Sequence, residues 1–216
     1  MGRSLDEKSV ERWRKWAAEK KVGVVLHNYP GYGKTPGPVT VERIIEDQRV
    51  LIRNLLDKHE PSEIAVLANS IGCGPTMAMA DEFDFGMVIL VSPYMSCCSF
   101  RGSFDWRSPV FRCFRDSLFD PFNCHKLVHW ERLRQQRILI ICGEIDKTIN
   151  PVNSVEIQKL IGDNVMVCNL PGVDHKSARL SGDHLIGLFL HSQDDELQKV
   201  MAKATSAEGM PTAHGN

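Results

Sequence analysis

Three residue types able to carry out acyl transfer follow successive apolar runs in this chain, in the order Ser70, Asp146, His175. A serine hydroxyl is a poor nucleophile at neutral pH, so it needs a base to take its proton and a carboxylate to orient that base. Ser70 ends the run Ile64-Ala65-Val66-Leu67-Ala68-Asn69 and precedes Ile71-Gly72-Cys73-Gly74-Pro75-Thr76. An apolar strand that breaks sharply into a helix lifts a side chain clear of the sheet and leaves the first helical N–H groups beside it. The usual form is G-x-S-x-G, whose small residues let the turn close; here Ala68 stands for the first glycine. On its own the pentapeptide also fits a serine at the N-cap of a buried helix.

The partners must come from later in the chain. The run Ile138 to Cys142 leads into Gly143-Glu144-Ile145-Asp146, and Val165 to Leu170 leads into Pro171-Gly172-Val173-Asp174-His175. Both turns follow the carboxyl ends of expected strands, where sites in parallel sheets are built. The order Ser, acid, His is that of α/β-hydrolases. Glu144 is a rival for the acid, while Asp174 stands too close to His175 along the chain to orient it easily. Asp146 could instead cap the following helix and His175 could be an ordinary loop histidine. His184 is expected to pack in the last helix, and Cys73 to pack at the start of the helix after Ser70.

The elements that position these residues alternate. A helix is expected from Ser4, with Glu7 completing a capping box and Val10, Trp13, Trp16 and Ala17 on one face. A short strand, Val22 to Leu26, leads to the glycine- and proline-rich loop Tyr29 to Pro38, and a helix follows from about Thr40, ending before Pro61. Next come the strand ending at Ser70, a helix from about Cys73 to Asp81 and a strand from Met87 to Val91. After Ile138 to Cys142 the pattern gives a helix over Val152 to Ile161, the strand Val165 to Leu170 and a helix over Gly182 to Lys203. Apolar strands alternating with helices imply a mostly parallel sheet covered by helices on both faces, hence class α/β. One domain is expected over 1–203, with a frayed tail at 204–216.

Between Pro93 and Gln136 the alternation lapses, and this segment holds more than half of the chain's aromatic residues. It reads equally as a lid lining an apolar pocket or as a helical excursion with its own small core.

A formal net charge of -1 excludes no small substrate but gives no field that would attract nucleic acid or an anionic membrane. The 7 cysteines include no C-x-x-C pair that would hold zinc, and they read as reduced packing residues of a cytoplasmic protein. No apolar run reaches the roughly 18–20 residues of a membrane span. Position 6 of the N-terminus is Asp6, where a myristoylation motif requires serine or threonine. A small-molecule or acylated substrate and no metal or cofactor are therefore expected.

Together these motifs resemble α/β-hydrolase-fold serine hydrolases, most closely the branch that includes membrane-associated protein depalmitoylases. The resemblance spans nearly the whole chain. It rests on Asn28-Tyr29-Pro30-Gly31-Tyr32-Gly33, Asn69-Ser70-Ile71-Gly72, Val91-Ser92-Pro93-Tyr94-Met95-Ser96, Ile140 to Asp146 and Gly172-Val173-Asp174-His175. It implies that Ser70 attacks a carbonyl, His175 shuttles the proton, Asp146 orients His175 and the Ile71 N–H is an oxyanion donor, with Tyr32 and Tyr94 binding substrate. An ester or thioester substrate is implied. Cys142 stands where relatives often carry histidine.

In relatives further strands precede the first helix, and a His-Gly turn after their third strand donates the second oxyanion N–H. No such turn is present here, since His27 is followed by Asn28. The N-terminal strands are therefore expected to be missing, and Val22 to Leu26 to pair directly with the strand that ends at Ser70 or to leave a gap beside it. Losing one oxyanion donor costs on the order of 100- to 1000-fold in turnover, so the alternative reading is a weakly active or binding protein of the same fold.

Overall fold

The computed structural model describes residues 5–96 and 123–206. Most of the expected lid or excursion (97–122) and of the tail (207–216) lies outside them. The described chain groups into two compact units that divide at Asp57 and Lys58.

In the first unit, α1 (Glu7–Lys20) starts two residues later than the Ser4 capping box predicts. Its cap is Asp6, whose carboxylate accepts the Ser9 N–H at 2.8 Å. It ends at Lys21, in the left-handed region at φ 54°, where the Lys21 and Val22 amides turn back to the Ala18 and Ala17 carbonyls. Residues 22–26 do not form the expected strand. Their exposure alternates as in an extended chain, and Val25 is 56% exposed, yet they enter no ladder. β-branched residues favour extension, but a strand exists only when a neighbour takes up its backbone groups. The second helix, α2 (Val41–Leu56), forms as expected with Thr40 as its cap. It buries Ile44, Gln48 and Ile52 at helical spacing.

The second unit is a four-stranded parallel sheet in the order β1-β2-β3-β4, with β1 (Ala65–Asn69), β2 (Met87–Val91), β3 (Ile138–Gly143) and β4 (Val165–Leu170). Within this sheet β1 pairs with β2 from Ala65↔Met87 to Asn69↔Val91. All six residues of β3 are buried. Side chains alternate between the two faces of a strand, so both faces of the sheet are covered there. The strands are joined through α3 (Cys73–Glu82), the short α4 (Cys124–Leu127) and α5 (Trp130–Leu133), and α6 (Val152–Ile161). Gln136, buried before β3, donates to the carbonyls of Ala80 and Phe83 at the end of α3.

The single helix expected over 182–203 is broken. The chain instead forms α7 (Ala178–Ser181), α8 (Asp183–Leu190) and α9 (Asp194–Ser206). The break is a Schellman closure: Ser192 has φ 53°, its amide reaches the Phe189 carbonyl and the Gln193 amide reaches Leu188. Asp194, Asp195 and Glu196 then restart the helix with negative charge at its N-terminus. No helix among the described residues is long and apolar enough to cross a membrane.

Candidate active site

Ser70 leaves the sheet in a conformation that the surrounding turn enforces. It follows Asn69, the last residue of β1, opens the 3-10 turn Ser70–Gly72 and has φ 54°, a region costly for a residue with a Cβ. Such strain at a turn between strand and helix raises the hydroxyl above the carboxyl end of the sheet.

His175 stands against it. Ser70 Oγ lies 2.9 Å from His175 Nε2, and His175 Nδ1 lies 2.6 Å from Asp146 Oδ2. An ionised Asp146 accepts the Nδ1–H, which leaves Nε2 free to accept the serine proton. Thus the three residues expected from the sequence meet in one chain of hydrogen bonds.

Asp146 is held as tightly as it holds. Its side chain is 0% exposed, and Oδ1 accepts the amides of Thr148 and Ile149, each at 2.8 Å. Burial pushes its carboxyl upward. The hydrogen bond and charge of His175 and the two amides outweigh that, and the carboxyl sits below the usual carboxylate range.

The rivals have other tasks. Glu144 accepts the Gly172 amide at 2.9 Å, tying the acid turn to the histidine loop. Asp174 accepts both the amide and the hydroxyl of Ser177. His184, expected to pack, is exposed on α8. The Cys73 thiol is buried, donates toward the Val91 carbonyl at 3.4 Å, and is pushed far up by burial, which removes it as a nucleophile.

Two other site features escaped sequence reasoning. A Cβ on Gly143 would lie 2.3 Å from the Val173 carbonyl oxygen, so only glycine lets the histidine loop pass over the end of β3. The Ile145 amide donates to that same carbonyl at 3.1 Å. The glycine can be seen in the sequence, but the loop that crosses it comes from β4. Tyr94, expected to bind substrate, is 0% exposed and donates its hydroxyl to the Ile71 carbonyl at 3.2 Å. Tyr32 belongs to the first unit, where its amide donates to Tyr29 and its carbonyl accepts from Thr35. Among the described residues no cluster could hold a metal ion.

No protein-family model matches the chain, and no curated protein matches it in sequence. Solved structures do resemble it. An esterase from Pyrococcus furiosus matches with a TM-score of 0.65 at 16% identity, over 84% of this chain and 74% of that one. A monoacylglycerol lipase from Paleococcus ferrophilus matches with a TM-score of 0.61 at 16% identity, over 88% and 91%. A serine hydrolase homologue from Coxiella burnetii matches with a TM-score of 0.59 at 16% identity, over 87% and 76%. Likeness at this identity establishes the fold, which is that of the α/β-hydrolases.

Proposed function

We propose that this α/β-hydrolase-fold chain is a serine hydrolase that cleaves acyl esters or thioesters through an acyl-enzyme. The observation that carries the reading is the unbroken path from Ser70 Oγ through His175 to the buried Asp146 carboxylate. Ser70 Oγ attacks the substrate carbonyl while His175 Nε2 takes its proton, and the Ile71 N–H faces the developing oxyanion. On collapse His175 returns the proton to the leaving alcohol or thiol. Water then attacks the acyl-enzyme by the same route, and carboxylic acid and free Ser70 result. Asp146 stays ionised throughout and holds His175 in the tautomer that accepts from serine.

The depalmitoylase-like motifs favour a long-chain acyl group. The thiols of Cys73, Cys142 and Cys168 are free and buried, which supports a reducing, cytoplasmic location.

A fluorophosphonate probe tests the reading. Labelling of the wild-type chain that disappears in Ser70→Ala and falls sharply in His175→Ala is the expected result. An unlabelled wild-type chain would favour the alternative of a weakly active or binding protein.

A further inference from the structure

The geometry points to Tyr94, braced by Asn153, as a positioning residue that sets the aim of the Ile71 oxyanion donor; this rests on the hydrolase reading above. The turn after Ser70 has a built-in defect. An α-helical turn would send the Ile71 carbonyl to the amide of residue 75, and that residue is Pro75, which has no N–H. The Tyr94 hydroxyl takes up that carbonyl at 3.2 Å. The amide and carbonyl of Ile71 flank one Cα, so holding the carbonyl from the buried side limits rotation of the amide that faces the substrate.

Tyr94 is itself held by the acid side of the site. It is wholly buried just beyond β2, and the next amide, Met95 N–H, donates to Asn153 Oδ1 at 3.0 Å. Asn153 is 5% exposed, and its Nδ2 donates back to the Asn150 carbonyl at 2.8 Å. Asn150 directly follows Ile149, whose amide binds Asp146 Oδ1. A hydrogen-bonded path thus runs from the acid turn through Asn153 and Tyr94 to the donor beside the nucleophile. Neither side chain touches the reacting atoms. Their work is to keep an amide in place, where small displacements of a preorganised donor weaken its interaction with the transition state.

The test is acylation by a p-nitrophenyl ester, followed before the steady state, with fluorophosphonate labelling in parallel. Tyr94→Phe keeps the ring and removes the hydroxyl. It is expected to slow acylation about tenfold, short of the roughly 100- to 1000-fold cost of deleting an oxyanion donor, with KM within about twofold. The acid limb of the pH profile stays in place, because His175 and Asp146 are untouched. Asn153→Ala gives a weaker version of the same split. Equal acylation rates in wild type and Tyr94→Phe overturn the proposal, as does a shifted acid limb, which marks damage to the histidine couple. Should Tyr94→Phe melt below the assay temperature, fluorotyrosine at position 94 retains the fold and makes the hydroxyl a stronger donor. Faster acylation then supports the proposal and an unchanged rate overturns it. A wild-type chain that fails to label overturns the hydrolase reading itself, whereas a labelled wild type matched by Tyr94→Phe overturns only the role of Tyr94.

Discussion

Asp146→Asn alters the candidate site by one oxygen for one nitrogen, and the hydrogen bonds around it determine how the site responds. Oδ1 of Asp146 is claimed by two amide donors, Thr148 and Ile149. In the asparagine side chain only the carbonyl oxygen accepts, so it must occupy that position and the NH2 must face His175. His175 Nδ1 then becomes an acceptor, the proton moves to Nε2, and Nε2 no longer accepts from Ser70. The wrong tautomer costs about 10^4-fold in turnover, or about 5.5 kcal/mol of barrier. Burst kinetics with an activated ester measure this directly, and thermal melts confirm folding. A loss below tenfold in the folded variant would refute the claim that Asp146 fixes the tautomer. The pH dependence of stability carries a second signature. The Asp146 carboxyl is lower in the folded chain than in the unfolded one, so its contribution is complete above the ordinary carboxylate range and disappears as pH falls through the folded value. The stability gap between wild type and Asp146→Asn should therefore narrow on acidification.

Other perturbations separate position from chemistry. Gly143→Ala places a methyl 2.3 Å from the Val173 carbonyl oxygen. The backbone must shift, at about 1–3 kcal/mol by chemical denaturation, and acylation should fall with the displaced histidine loop. Glu144→Gln keeps an acceptor for the Gly172 amide and should cost less than about tenfold in kcat, in contrast to Asp146→Asn. Burial raises the thiols of Cys142 and Cys168 to about 11 and that of Cys73 further. Peptide mapping after iodoacetamide treatment of the native chain at pH 8 should find these cysteines unmodified; rapid alkylation of Cys73 would reinstate it as a reactive group.

The sheet was legible in the sequence where local chemistry and tertiary demand agree. Met87 to Val91 and Val165 to Leu170 are apolar throughout or nearly so and are bounded by turns, and both form strands over the expected residues. Val22 to Leu26 has the same local character and fails, because no residue in the run specifies a pairing partner. The break between α8 and α9 is equally opaque: Ser192 adopts a left-handed conformation for which glycine is the usual signal. At the site, Ser70, Asp146 and His175 could be found because each follows its own strand. The tasks of Glu144, Gly143 and Tyr94 depend on contacts with distant loops, and local spacing carries no trace of those.

Ser70 and His175, the proposed nucleophile and base, are separated by 105 residues. A chain growing from its N-terminus at about 5–20 residues per second exposes Ser70 about 5–20 s before His175 exists. Throughout that interval the hydroxyl is an ordinary alcohol, inert toward the acylated molecules around the ribosome. In the proposed mechanism reactivity is thus a late product of biosynthesis, conferred only when β4 has docked and its outgoing loop has crossed Gly143. A misfolded or interrupted chain would be harmless for the same reason: it carries the serine without the means to use it.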